Sequence, residues 1–279
     1  MADLEDYQFQ APGPHRIGHD SDRIVLPRIG LIVIAIAILG IAAYLFLGGR
    51  TAKPAATVQE RTAAPKSETL PVAEGEHINL PALDDSDALV RQRIGALSSN
   101  PLVSAWLGTT GLIRNFVVVV DNIAHGITPS RHLRVVRPGG DFRVVARGSQ
   151  FVVDPRNYDR YSRIAAAAAS IDPQAAARTY TTFKPLLQMA YDELGNQEPI
   201  DQAMEHAIVP LLRVPAIDGD VRVELGNEGI GYEYADSKLE ALSGAQKQLL
   251  RMGAANVRTI QEQLRQFARA LGIPAERLQ

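Results

Sequence analysis

Side chains suited to acid–base or metal chemistry are thinly spread in this chain. Of six histidines, His15, His19 and His77 precede any convincing core pattern. His125, His132 and His206 lack the close helical spacing that puts two imidazoles on one face for zinc. Glu205-His206 has neither partner of an H-E-x-x-H motif, and no G-x-S-x-G, phosphate-binding loop or S-x-x-K occurs. Gly226, Gly229 and Gly231 cluster, but in the order G-N-E-G-I-G, which reads as a turn between strands. Asp121-Asn122 would set an acid beside an orienting amide, although such pairs more often satisfy local backbone. Asp192-Glu193 and Asp218 with Asp220 have no predictable separation for paired-carboxylate work. No catalytic, cofactor-binding or metal residue is assigned, and no cofactor is expected.

Charge placement is more informative. Residues 131 to 163 hold eight arginines, Arg131, Arg134, Arg137, Arg143, Arg147, Arg156, Arg160 and Arg163, against three acids. Residues 192 to 240 hold twelve acids against three bases. The arginines form the candidate interaction surface, facing phospholipid headgroups, an anionic polymer or an acidic protein. Against that stands pairing of the two segments across the domain, for which the arginine fork is well suited, or plain solvation.

The elements that must position these groups follow from composition and periodicity. The chain has 279 residues, 46% hydrophobic and 22% charged, with a net charge of −2 and no cysteine. There is enough aliphatic side chain for a core, and thiol or Cys-ligated metal chemistry is excluded. Near-neutral charge argues against nucleic acid as a partner.

From Ile29 to Leu47 runs an uncharged segment, IGLIVIAIAILGIAAYLFL, bounded by Arg28 and Arg50. A helix of this length just crosses a bilayer core of about 30 Å, so residues 29–48 are expected to span a membrane. No convincing cleavage site follows Leu47, which separates it from a secretory signal. Residues 1–28 read as a polar leader, expected to be disordered. Residues 49–81 read as an Ala/Pro-rich tether, which buries too little apolar area to offset its ordering entropy. Flanking basic residues do not decide orientation. The tether's composition favours a bacterial inner-membrane protein with a cytoplasmic N-terminus and a periplasmic C-terminal domain; cytoplasmic placement of that domain is the alternative.

Residues 82–279 are expected to form one mainly α-helical domain with one or two small β-hairpins. Asp84 or Ser86 is expected to cap a first helix bearing Val90, Ile94 and Leu97. A second begins near Thr109, with Ile113, Phe116, Val120 and Ile123 on one face, and stops at Gly126. Phe142–Val153 reads as two strands around Gly148-Ser149. Asp154-Pro155 and Asp172-Pro173 each place a capping acid before a proline that opens a helix. Prolines 185 and 210 predict kinks or breaks. Val221–Leu225 and Ile230–Tyr234 suggest a second hairpin. Leu239, Leu242 and Leu249 suggest a helix or helix pair up to Gly253. Val257, Ile260, Leu264, Phe267 and Leu271 then form an amphipathic stripe too short for a coiled coil and suited to packing within the domain.

YEYAD (Tyr232 to Asp236), LEALSGAQKQLLRMG (Leu239 to Gly253) and the nearby Asn256 resemble the signature of the bacterial family called domain of unknown function 3014. LPALDDSDALV (Leu80 to Val90), LIRNFVVVVDN (Leu112 to Asn122), YDRY (Tyr158 to Tyr161) and PLLQMAYDELG (Pro185 to Gly195) agree with it. The resemblance implies a Gram-negative protein with one N-terminal transmembrane helix and this single domain, and brings no activity, cofactor or catalytic residue. The expectation is therefore a non-enzymatic, membrane-tethered binding or assembly module. Its partners would be the bilayer, through residues 29–48, and an envelope protein or anionic polymer. The alternative is a hydrolase-like envelope enzyme using carboxylates such as Asp121 or Asp236.

Overall fold

Three Asx-Pro steps open three of the helices. Asn100 accepts from the N–H of Leu102 at 2.9 Å and starts a helix Pro101–Leu107 (α2). Asp154 accepts from Arg156 N–H at 3.0 Å ahead of Arg156–Ala169 (α4). Asp172 accepts from Ala175 N–H at 2.7 Å ahead of Pro173–Asp192 (α5). Each carboxylate or amide oxygen satisfies one of the donors a helix start leaves unpaired, and the proline costs nothing where its N–H is not needed.

The computed structural model describes residues 72–129, 137–226 and 231–279. The expected leader, the expected span at 29–48 and most of the expected tether lie outside these residues, as do Arg131 and Arg134. Among the described residues no single helix is long and apolar enough to cross a membrane. α2 and Leu112–Ala124 (α3), bent by 109° at their break, are apolar enough as a pair. They spend that surface on the core, burying Val103, Trp106, Leu112, Phe116 and Val120.

The first helix, Asp87–Gly95 (α1), departs from its expected cap. Ser86 holds the cap position, but its hydroxyl turns back to donate to Leu83 O at 2.7 Å within a short 3-10 turn. Asp87 reaches across instead. Its carboxylate accepts from the N–H groups of Gly111 and Leu112, both at 2.8 Å, and caps α3 from outside. α3 starts at Leu112, after Gly111 at φ +66°, rather than at Thr109.

α3, α5, Ile200–Leu212 (α6) and Ala254–Ala270 (α9) pack on one another, and α4 lies along α9. α5 supplies the centre: Tyr180, Phe183, Leu187 and Tyr191 are buried, with Tyr180 edge-on to Phe267 at 6.3 Å. α5 runs through Pro185, and α6 contains Pro210 in its last turn. The α9 stripe of Val257, Ile260, Leu264 and Phe267 is buried in the same core. Before it come two short helices, Ser237–Glu240 (α7) and Gly244–Leu250 (α8), the second opened by a Ser243/Gln246 capping box.

The two hairpins are joined. Val144–Arg147 (β1) and Gln150–Val153 (β2) pair around Gly148-Ser149, Arg222–Leu225 (β3) pairs with Tyr232–Tyr234 (β4), and Phe151↔Val223 links β2 to β3. The domain is thus mainly helical with one antiparallel four-stranded sheet, ordered β1-β2-β3-β4.

Residues 72–81, assigned to the tether by composition, pack on the domain. Ala73 is buried, and its N–H donates to Ala270 O at 2.9 Å. Contacts with α5 and α9 are thus already made at residues 73–76, ahead of the expected boundary at residue 82.

Candidate functional site

Three of the segments that carry the family resemblance, YDRY, YEYAD and LEALSGAQKQLLRMG, meet where the sheet joins α4 and α9. Gly253, at φ +84°, faces the Tyr158 ring so closely that a Cβ would sit 2.4 Å from Cγ. Asn256 Nδ2, one turn on, donates to Tyr158 O at 3.0 Å and to Met252 O at 2.8 Å. Tyr234, on β4, is 6% exposed, and its N–H donates to Glu240 at 2.8 Å. Lys247 pairs with the same carboxylate. Burial alone would raise Glu240, but the hydrogen bonds from Lys247 and Tyr234 more than offset it and hold the carboxyl below its usual range. Burial pushes the Tyr234 phenol up to about 12, with the Arg251 charge working against it. Burial and then the charge of Asp220 raise Tyr158. The junction is a hydrogen-bonded joint between sheet and bundle, with its phenols held neutral at physiological pH.

Six of the eight candidate arginines fall among the described residues. Arg156 is held by Asp154 at 2.9 Å through Nε, and Arg147 bridges to Asp220 at 2.8 Å. Arg160 donates to the carbonyls of Gly139 and Gly140, both at 2.7 Å, laying residues 139–140 across α4. The remaining three, Arg137, Arg143 and Arg163, are exposed, with no ion pair among the described residues. The acidic segment is neutralised largely from elsewhere. Glu193 binds Arg114, Asp201 binds Lys184, Glu205 binds Arg277 and Asp218 binds Arg258. Only the Arg147–Asp220 bridge joins the two charged segments among these pairs.

The carboxylates considered for catalysis have structural partners. Asp236 caps α7 through Lys238 N–H at 2.8 Å. Asp121 accepts from Asn196 at 3.1 Å, and Asn122 donates to Val118 O at 2.6 Å. Among the described residues no group of three or more His, Asp or Glu side chains is placed to hold a metal ion. His206 lines an open cleft of about 450 Å³ with Glu205, Arg213, Glu276 and Arg277, where Glu205 is already bonded to Arg277 at 2.6 Å.

A feature that residue types did not announce lies on the sheet. Strand alternation places Ala146, Phe151, Val223, Leu225, Tyr232 and Tyr234 on one face. Val223 and Tyr234 are buried, but Phe151, opposite Val223, is 42% exposed and Leu225, at the outer end of β3, 59%. Tyr232 stands edge-on to Phe151 at 6.3 Å, and a shallow depression of about 290 Å³ runs over residues 149–151 and 222–225. The alternation that marks these residues as inward-facing is correct. The sequence carries no signal of their exposure, which depends on how much of this face the helices cover.

Among known proteins, a family model described as "Protein of unknown function (DUF3014)" matches residues 112–268. No curated protein and no solved structure matches the chain.

Proposed function

The chain belongs to that family of proteins of unknown function (DUF3014), and from this premise we propose that it is a membrane-tethered, non-enzymatic binding module of the bacterial envelope. Residues 29–48 cross the inner membrane, the Ala/Pro-rich segment after them gives reach, and the domain faces the periplasm. The bound partner is a protein that docks on the outer end of the sheet.

One observation carries this reading. Phe151 and Leu225 are diagonal neighbours on one face of β2 and β3, and both are largely exposed beside Tyr232. Cross-strand diagonals of this kind lie about 7–8 Å apart, within reach of one another's side chains. Aromatic and aliphatic anchors gathered at one spot are what a partner's pocket grips, whereas lone exposed apolar residues mean little. Of the carboxylates considered for hydrolysis, Asp236 caps a helix and Asp121 accepts from the Asn196 amide, which favours binding over catalysis.

The test is site-specific photocrosslinking in cells, with the reactive side chain placed at Phe151 or at Leu225 of the full chain and at Gln266 on α9 as control. A discrete protein adduct from 151 and 225, and none from 266, is expected. Adducts with lipid only, or the same pattern from all three positions, would overturn the assignment.

A further inference from the structure

Gly75 lies against α5 at a distance only glycine permits. A Cβ there would stand 2.7 Å from Thr182 N and 2.8 Å from the Thr181 carbonyl carbon, both backbone atoms that cannot swing away. The residues around it are fastened at several points. Ala73 N–H donates to Ala270 O at 2.9 Å, and Ala73 O accepts from Thr181 Oγ1 at 3.2 Å. Glu76 N–H donates to Thr182 Oγ1 at 2.9 Å, and the Glu76 carboxylate binds Arg93 at 2.8 Å. Ala270 is the last residue of α9, and its carbonyl is among those a helix end leaves without an internal partner, so Ala73 completes the helix. Val72 sits on Gly272, just beyond.

These contacts fix where the chain leaves the domain. The exit is at the C-terminal end of α9, whereas its N-terminal end, at Gly253 and Asn256, packs on Tyr158 in the first turn of α4, just after β2 leaves the sheet. At 1.5 Å per residue the two ends of this helix are roughly 24 Å apart.

We infer that residues 72–76 are an orienting strap, which turns the C-terminal end of α9 toward the membrane and presents the outer end of the sheet away from it. The inference rests on the membrane-tethered reading. A chain released from a loosely attached tether would tumble and show every face equally. With the strap docked, residues 49–71 are what separates the expected span from the domain. Even a random coil of that many residues reaches only roughly 26 Å, comparable to the helix itself, so the difference between near and far ends survives averaging.

The chain contains no cysteine, so single cysteines can be placed for labelling. The full chain is reconstituted into vesicles of phosphatidylethanolamine and phosphatidylglycerol carrying an acceptor lipid, with a donor at Glu276→Cys, near the exit, or Ser149→Cys, in the β1–β2 turn. Energy transfer to the bilayer is expected to be stronger from 276 than from 149. Gly75→Val is expected to abolish that difference, with the thermal melt showing that the bundle remains folded. Should Gly75→Val prevent folding, Glu76→Ala with Thr182→Val removes two fastenings without crowding the helix and is expected to reduce the difference. Equal or reversed transfer with the strap intact would overturn the orientation while leaving the tether standing. A chain that alkaline carbonate strips from the vesicles would overturn the tethered reading itself.

Discussion

Gly253 and Tyr158 are in contact so close that no side chain fits between them: a Cβ on the glycine would fall 2.4 Å from Tyr158 Cγ and 2.6 Å from Cδ1. The glycine has φ +84° and ψ 156°, a region essentially closed to other residues. This contact brings the start of α9 against α4 beside the sheet, and it explains why a glycine must end the LEALSGAQKQLLRMG segment.

Gly253→Ala is accordingly expected to cost about 3 kcal/mol, from backbone strain and displacement of the ring together. Thermal denaturation of the purified chain measures it. A change close to zero would mean that the ring moves aside freely.

Asp87→Ala is expected to cost about 1–2 kcal/mol, because two N–H groups at the start of α3 lose their shared acceptor. Asp87→Asn keeps one acceptor oxygen and is expected to lose less. Urea denaturation of the two variants side by side gives the order, and an equal loss in both would assign the effect to the Arg91 ion pair instead.

Gln248 is 1% exposed, and neither its amide oxygen nor its nitrogen has a hydrogen-bond partner among the described residues. Burying such a group unpaired is unfavourable, so Gln248→Met, similar in shape and apolar, is expected to stabilise the fold by about 1 kcal/mol. A marked loss of stability on this change would show that the amide meets a polar group in solution.

The pH dependence has two limbs. The Arg156 guanidinium beside Asp154 holds that carboxyl below the usual range, assisted by Arg156 N–H, although the residue is only 3% exposed. A depressed folded-state value stabilises above the unfolded value of about 3.9 and is lost as pH falls through the folded one. The deficit of Asp154→Asn should therefore be full at pH 7 and shrink in strong acid. At the other limb, burial raises the phenols of Tyr180, Tyr191 and Tyr234. Their contribution is full below the unfolded value of about 10 and is lost as pH rises through the folded values. Tyrosinate absorbance should thus appear together with loss of helical circular dichroism. Titration of these phenols near pH 10 in a protein that remains helical would contradict the burial described.

Much of the bundle was legible because its signals are local. The α9 stripe and the caps at Asp154 and Asp172 lie within a few residues of what they govern. Asn100-Pro101 carries the same kind of signal and opens α2, whose seven residues are too few to show a helical stripe. The sheet was only half legible. Each hairpin has its own turn, but the Phe151↔Val223 pairing joins residues far apart in sequence, and nothing local specifies it. The strap reads as tether for a physical reason. Small and polar residues such as Ala73, Gly75 and Glu76 bury little apolar area and so read as tether, whereas here their smallness permits backbone hydrogen bonding to α5 and α9. The exposed pair Phe151 and Leu225 was hidden for the opposite reason, since the alternation that identifies an apolar face does not reveal how much of it the helices cover.

The proposed placement, the orientation and the presentation of the sheet all rest on the proposed membrane anchor at residues 29–48. Flotation of the full chain from broken cells, with residues 1–50 shown intact by mass and the membranes washed in alkaline carbonate, measures it directly. The account predicts that the chain rises with the lipid and that deletion of residues 29–48 leaves a folded domain in the soluble fraction. An intact full-length chain that remains in the soluble fraction would contradict it.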